Sequence, residues 1–214
     1  DGNPAEGISD VSTGSFLFYQ YLAEKTNKGN DIIPRIYQLQ IENNLTSLEA
    51  VHRFLSENGI TWEQAMSEYH VWNLLTGPYA LLSNEGYDFA KKIWTIYGSV
   101  KPSQTHKTFP VTGRRSPNKP RGTGAEYLQF VTKDIKTSSD LAVTIQPETD
   151  VSLVVSIVGI KKDLTVNTSY KGLVTFPQTL TAENAQDYLY IYYVIANTSQ
   201  DETNVGGYIY EASL

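Results

Sequence analysis

The sequence predicts an α+β fold of two segregated parts, a bundle of short helices followed by an antiparallel β-sandwich. Apolar residues recur at helical spacing over residues 13–76, and beyond residue 125 they alternate with polar residues as in half-buried strands. Between the two patterns the chain is rich in Pro, Gly, Ser and Thr. These observations predict a helical domain at 1–97, a basic Pro/Gly-rich linker or loop at 98–124 and a β-sandwich domain at 125–214.

The first two predicted helices are strongly apolar. Apolar residues surround the first helix almost completely, so we expect it to be buried. They are Phe16, Phe18, Tyr19, Leu22 and Ala23. The second helix carries Pro34 in its first turn, where proline is tolerated. Its stripe is Ile32, Ile33, Ile36, Tyr37 and Leu39.

Capping signals mark the start of the third and fourth helices. Thr46 followed by Glu49, and Thr61 followed by Gln64, have the spacing of a capping box. Gly59 ends the third helix, and the Gly77–Pro78 pair ends the fourth. The stripe of the third helix is Leu48, Val51, Phe54 and Leu55, and that of the fourth is Trp62, Ala65, Met66, Tyr69, Trp72 and Asn73. Because Asn73 lies in an apolar stripe, we expect its amide to bind a buried backbone group.

Six or seven short strands are predicted in the C-terminal part, with no helical pattern between them. This spacing is typical of a small antiparallel β-sandwich. The apolar positions that define the strands lie at 128–130, 141–145, 151–157, 173–176, 188–196 and 208–212.

Composition limits the compartment and the partners. The chain has no cysteine, which favours a secreted, periplasmic or cell-surface protein. Its formal net charge of −6 argues against nucleic acid as a partner, because phosphate neutralisation needs a basic surface. The longest apolar run is far shorter than a membrane span, so no transmembrane segment is expected.

The sequence contains no complete catalytic site. Its three histidines, His52, His70 and His106, form no H-E-x-x-H motif, and a cysteine nucleophile is excluded. Glu49 and His52 form a single Glu-x-x-His, a spacing that di-iron bundles use in two copies, so we expect an exposed Glu beside a partly buried His. His70 is expected to be a surface histidine among carboxylates. No catalytic residue, metal ligand or cofactor of this chain is therefore predicted, and whether it belongs to an enzyme stays open.

A tyrosine-rich strand is the first candidate binding surface. Alternation places Tyr188, Tyr190 and Tyr192 on one strand face, and Tyr208 and Tyr210 could extend it. Aromatic faces with polar tips suit stacking on sugar rings or peptide planes, so these five residues are possible ligand-binding residues. The alternative is that tyrosine simply fits a half-buried pleated surface, for example against the helical half.

A basic segment is the second candidate. Between residues 98 and 124 there are six basic residues and no acidic one. Arg114, Arg115, Lys119 and Arg121 form the predicted anion-binding set, for an anionic glycan, a lipid head group or an acidic pro-segment. The alternative is a solvated loop.

Several segments resemble secreted bacterial zinc-metalloprotease-like proteins. In the helical part these are GSFLFYQYLAEK at 14–25, DIIPRI at 31–36, GITWEQA at 59–65 and EYHVWN at 68–73. In the β part they are YLQF at 127–130 and YVIAN at 193–197. The matches run in order through most of the chain, at hydrophobic and structural positions.

The resemblance implies a non-catalytic role for this chain. In such proteins the zinc ligands and the general base come from an upstream H-E-x-x-H helix and a later Glu, and neither lies in the matched segments. Zinc is therefore expected only in a longer parent protein. The implied partners are an upstream catalytic domain or a protein or peptide substrate, and possible further partners are polymers, glycans or a cell surface.

Three functional hypotheses follow. The first is the non-catalytic C-terminal portion of a zinc-metallopeptidase-like protein, which predicts an exposed apolar surface on the helical half. The second is a self-sufficient extracellular binding or adhesion module that uses the tyrosine face or the basic segment, which predicts a closed helical core without such a surface. The third is a stand-alone hydrolase, which requires titratable groups converging in a cleft.

Overall fold

The computed structural model describes residues 12–93, 100–148, 150–201 and 203–214. Helices occupy the N-terminal half and two sheets the C-terminal half, which confirms the predicted α+β class and the sandwich-like β part. The helices are α1 Ser12–Lys25, α2 Ile32–Asn43, α3 Ser47–Glu57, α4 Trp62–Leu74 and α5 Asp88–Ile93. Short 3-10 turns lie at Gly29–Asp31, Gly77–Leu81 and Ala185–Asp187. None of the helices in these ranges combines the length and apolar character needed to cross a bilayer.

The predicted caps form. The Thr46 hydroxyl accepts the Glu49 backbone N–H, and the Glu49 carboxylate accepts the Thr46 backbone N–H in return, so the capping box at α3 is complete. At α4 the Thr61 hydroxyl accepts the Gln64 backbone N–H at 3.1 Å. Gly59 follows α3 with φ +69°, a left-handed conformation that suits glycine.

In the described part of the chain, nine strands form two sheets. They are β1 Gln104–His106, β2 Val111–Arg115, β3 Ala125–Val131, β4 Leu141–Pro147, β5 Leu153–Lys161, β6 Val166–Val174, β7 Gln178–Ala182, β8 Tyr188–Asn197 and β9 Tyr208–Ser213. The first sheet has the order β1-β3-β8-β5-β6, and the second has the order β2-β9-β4-β7. Pairing is antiparallel except between β1 and β3, which run in parallel.

The segment predicted as a linker or loop at 98–124 instead contains β1 and β2, one at the edge of each sheet. Residues 98 and 99 lie outside the described ranges. Edge strands this short bury few side chains, His106 from β1 and Val111 from β2, so they leave almost no alternation in the sequence. The loop after β2 is held by the buried Glu126 carboxylate, which accepts the Ser116 hydroxyl at 2.7 Å and the Asn118 backbone N–H at 2.6 Å.

The elements form three layers. Residues between the two sheets make one hydrophobic core, and the outer face of the first sheet makes a second core together with the helices. The sheet residues in this second core include Tyr127, Val154, Val158, Tyr192 and Val194. The helical half therefore does not close a core of its own, because α4 packs against β5, β6 and β8.

Candidate functional site

The structure places Glu49, His52 and His106 in structural contacts. Within the described residues, no group of three or more His, Asp and Glu side chains is placed to hold a metal ion. The Glu49 carboxylate is used in the α3 cap, and the His52 ring stacks on Trp62 with a centroid distance of 4.4 Å. Nε2 of His106 lies 2.9 Å from the Tyr210 hydroxyl. Residues 12–93, 100–148, 150–201 and 203–214 therefore provide no ligand set that fits zinc.

His70 was predicted at the surface, and this prediction is wrong. Its side chain is buried, and Nε2 donates to the Thr123 carbonyl at 2.9 Å. Burial lowers the pKa of His70 to about 4, and the bond to Thr123 offsets only part of that effect. The reason is the layer arrangement: α4 is covered by α1 and α3 on one side and by the sheet on the other, so little of its surface is free.

Asn73 binds a buried tyrosine. Its Oδ1 accepts a hydrogen bond from the Tyr87 hydroxyl at 2.8 Å. The Tyr87 hydroxyl oxygen also lies 3.3 Å from the Leu17 carbonyl oxygen. Tyr87, which directly precedes α5, thus links Asn73 on α4 to α1. A bond from the Asn73 amide to a buried backbone group stays a prediction.

The five candidate tyrosines do not share a face. An irregularity in the pairing of β5 with β8 lies between Ile160 and Lys161, and it turns Tyr188 over Gly159 toward the inter-sheet core. Tyr190 and Tyr192 point to the opposite face, toward the helices. Tyr208 and Tyr210 belong to the second sheet and are buried between the sheets. Tyr192 is buried as well. Of the five side chains, those of Tyr188 and Tyr190 are partly exposed.

A hydrogen-bonded chain crosses from the helical half to the edge of the first sheet. The Tyr79 and Tyr192 hydroxyls lie 2.9 Å apart, and Gln129 donates its Nε2–H to the Tyr192 hydroxyl at 2.5 Å. Thr105 donates to Oε1 of Gln129 at 3.0 Å. Burial, followed by the bond to Tyr79, raises the pKa of Tyr192, so this hydroxyl stays protonated at neutral pH. These hydrogen bonds fix the side chains of Tyr79 and Gln129, which form the polar floor of the cleft described next.

A cleft of about 730 Å³ opens above this floor. Aromatic, amide and charged side chains converge in it. Its lining is Tyr79, Thr105, Lys107, Phe109, Gln129, Val131, Lys133, Asp134, Ile135 and Tyr190. Of the residues predicted from the sequence to bind ligands, Tyr190 lies here.

A second depression of about 700 Å³ continues the cleft and shares Lys133 and Ile135 with it. Its other lining residues are Lys136, Lys161, Lys162, Asp163, Gln186 and Asp187. We call Lys107, Lys133, Lys136, Lys161 and Lys162 together the basic edge. The sequence alone does not reveal the basic edge, because these lysines are scattered along the chain. The one available signal was a lysine at the end of strands β1, β3 and β5 or within two residues after it.

The residues of the predicted anion-binding set all lie at the surface. Arg114, Arg115 and Arg121 are exposed, and Lys119 pairs with Glu148 at 3.3 Å. Anion binding by these residues remains a prediction.

An exposed apolar surface lies on α1 and α2. Phe16 is 59% exposed, although α1 was expected to be buried all round. On α2, Ile33, Tyr37 and Ile41 are 51%, 64% and 76% exposed at intervals of four residues, which places them in one row. Tyr19 on α1 lies near Tyr37 on α2. We call Phe16, Tyr19, Ile33, Tyr37 and Ile41 the α1–α2 apolar face.

Comparisons with known proteins give little guidance. No family model and no curated protein matches the chain. Among solved structures, one similar chain is that of the infectious bursal disease virus VP2 subviral particle, at 11% identity and a TM-score of 0.23. The match covers 56% of this chain and 35% of the viral one. A TM-score this low supports no argument about fold or function.

Proposed function

We propose that this chain is the non-catalytic C-terminal portion of a longer, secreted zinc-metallopeptidase-like protein, in which it supports an upstream catalytic part. The observation that carries the proposal is the α1–α2 apolar face. Monomeric soluble proteins rarely expose a contiguous group of large apolar side chains unless it is an interaction surface. An exposed apolar face on the helical half is expected if the chain supports an absent catalytic part. A self-sufficient binding module is expected to lack such a face.

The position of the face favours an upstream domain as its occupant. Phe16 lies in the second turn of α1, the first described helix of the chain. A domain that preceded α1 would therefore be tethered beside this face at high effective concentration. The resemblance of residues 14–25 and 31–36 to metallopeptidase-like proteins concerns these same two helices.

The face is separate from the fold's own packing. The buried side of α2, Ile32, Ile36 and Leu39, already joins the helical core, so the exposed row adds no stability to this chain. Stability of this chain alone does not explain three large apolar residues on the solvent-exposed side of α2. A partner that covers these residues would explain them.

The proposal is tested on the protein isolated from its source with an antibody against this chain. Intact mass and peptide sequencing should identify a larger polypeptide with an H-E-x-x-H motif upstream of residue 12. Its proteolytic activity should be lost on chelation and restored by zinc. A native product without that motif overturns the metallopeptidase assignment.

Side-chain footprinting then tests the docking face. Phe16 and Tyr37 should be labelled several-fold less by hydroxyl radicals in the full-length protein than in the isolated chain. Tyr170 and Phe176, exposed on and just beyond β6, serve as internal controls and should be labelled equally in both. If the upstream motif is present but Phe16 and Tyr37 are labelled equally, the catalytic part docks elsewhere.

A further inference from the structure

The basic edge is produced by strand direction. β1 runs parallel to β3, and both β3 and β5 run antiparallel to β8, so β1, β3 and β5 all end at the same side of the first sheet. Lys107 and Lys133 lie just beyond the ends of β1 and β3, and Lys161 ends β5. The sheet order separates β1 from β5 by three strand spacings, roughly 14 Å. The positive charges therefore form a row rather than a point.

The charges of this row are available to a ligand. None of the five lysines makes a salt bridge to another described residue. Three aspartates, Asp134, Asp163 and Asp187, lie in the same depressions, and Lys161 is close enough to Asp163 to contribute to lowering the pKa of that carboxyl. The five lysines still exceed the three carboxylates by two charges. A local excess of positive charge in a protein of net charge −6 attracts anions to this edge.

The cleft next to the lysines offers the contacts that a sugar ring needs. The partly exposed rings of Tyr79 and Tyr190 and the side chain of Phe109 provide flat apolar surface. Gln129 and Thr105 present amide and hydroxyl groups fixed by the hydrogen-bonded floor. A ligand that combines ring faces, hydroxyls and repeated negative charge matches this lining and the length of the row.

We propose that this edge of the sandwich binds an acidic oligosaccharide, a chain of sugar units that carry carboxylates. The sugar faces lie against Tyr79 and Tyr190, and the carboxylates pair with Lys107, Lys133 and Lys161. This site lies where the Gly77–Leu81 turn meets the first sheet, and it shares no residue with the α1–α2 apolar face. An anionic bilayer suits the edge less well, because the cleft is concave and its lining is aromatic and amide rather than a protruding apolar tip.

The test is calorimetric titration of the chain with tetragalacturonate. Its fully methyl-esterified form is the matched neutral ligand, with the same sugar units and no charge. We expect binding of tetragalacturonate that weakens as salt rises from about 50 to 300 mM, since the lysines are solvent-exposed. The ester should bind at least about tenfold more weakly.

Variants locate the site. Lys107→Ala/Lys133→Ala should weaken tetragalacturonate binding about tenfold and leave the thermal unfolding midpoint unchanged, because both side chains are exposed. Arg114→Ala/Arg115→Ala removes the same charge from β2 and should leave binding unchanged.

Three outcomes of these experiments would contradict the proposal. Equal binding of the acid and its ester excludes charge recognition. Loss of binding in the arginine variant places the anion site on β2. Absence of oligosaccharide binding, together with binding to vesicles containing phosphatidylserine that the lysine variant loses, assigns the basic edge to membranes instead.

Discussion

The indole N–H of Trp62 donates a hydrogen bond of 2.9 Å to the carbonyl of Thr198, 136 residues further along the chain. Trp62 opens α4, and Thr198 directly follows β8. Two more bonds cross the same interface: the Ser67 and Ser156 hydroxyls lie 2.5 Å apart, and the Tyr79 hydroxyl binds that of Tyr192. The apolar core is also shared, so we expect the helices and the sandwich to unfold together.

The first prediction concerns cooperativity. Urea unfolding should show one transition, with the same midpoint for tryptophan fluorescence and for far-ultraviolet circular dichroism. Trp62→Phe should lower the free energy of unfolding by about 2–3 kcal/mol, because it leaves the buried Thr198 carbonyl unpaired and removes ring volume.

Trp72→Phe is the matched control. Trp72 makes edge contacts with Tyr21 and Tyr87, but its indole makes no bond to the sheet among the described residues. Trp72→Phe should therefore lower the free energy of unfolding by less than Trp62→Phe does. Two separate unfolding transitions, or equal losses of stability in the two variants, would contradict joint unfolding of the helices and the sandwich.

The second prediction concerns the segment after β2. Glu126→Gln should destabilise the protein by about 2 kcal/mol, because one of the two carboxylate oxygens that accept the Ser116 and Asn118 donors is replaced by an N–H₂ group. Hydrogen exchange of the Asn118 amide should speed up. Glu148→Gln, which alters the exposed pair with Lys119, is expected to change stability by less than about 0.5 kcal/mol. Similar effects of the two changes would rule out a special role for the buried carboxylate.

The third prediction concerns pH. Burial lowers the pKa of His70 from its ordinary 6.5 to about 4, so the folded state binds this proton less readily than the unfolded state. Stability should therefore be unaffected by His70 above pH 6.5 and should fall as pH drops from about 6.5 to 4. The loss amounts to about 3 kcal/mol.

Urea midpoints measured for His70→Gln at the same pH values isolate this contribution. The variant should be less stable at pH 7, since the bond to Thr123 is altered, but its stability should decline less between pH 6.5 and 4. An equal decline in both proteins would assign the pH dependence to other groups. Burial also lowers the pKa of His52 and of His106, so part of the decline should persist in the variant.

The fourth prediction concerns the α1–α2 apolar face in the isolated chain. Tyr37→Lys/Ile41→Lys should change the free energy of unfolding by less than about 0.5 kcal/mol per site, because both side chains are mostly exposed. It should also reduce binding of a hydrophobic dye and any self-association measured by sedimentation. Ile36→Ala, on the buried side of the same helix, should cost about 2–5 kcal/mol. A large loss of stability in the lysine variant would mean that the face is part of the fold.

Local signals predicted the elements whose structure depends on nearby residues. The Thr46–Glu49 box and the stripe of Val51, Phe54 and Leu55 define α3 because capping bonds and helical periodicity act within one or two turns. The alternation in Leu141, Val143 and Ile145 likewise defines β4. Strands β1, β2 and β7 gave no comparable signal, because they are short edge strands with few inward side chains.

Predictions that depended on the neighbours of an element were less successful. The burial of His70 and the exposure of Phe16 depend on which other elements cover α4 and α1, and no local pattern records that. The tyrosine face failed for a related reason: one irregularity in the β5–β8 pairing moves Tyr188 to the other side of the sheet.

By itself the sequence determined the fold class, the capped helices and the central strands, because these rest on periodicity and on hydrogen bonds between residues close in the chain. Only the tertiary structure decided that the two halves share a core and that Lys107, Lys133 and Lys161 line one edge beside Tyr79 and Tyr190. Strand order and direction bring these residues together, and both depend on pairings between segments far apart in the chain.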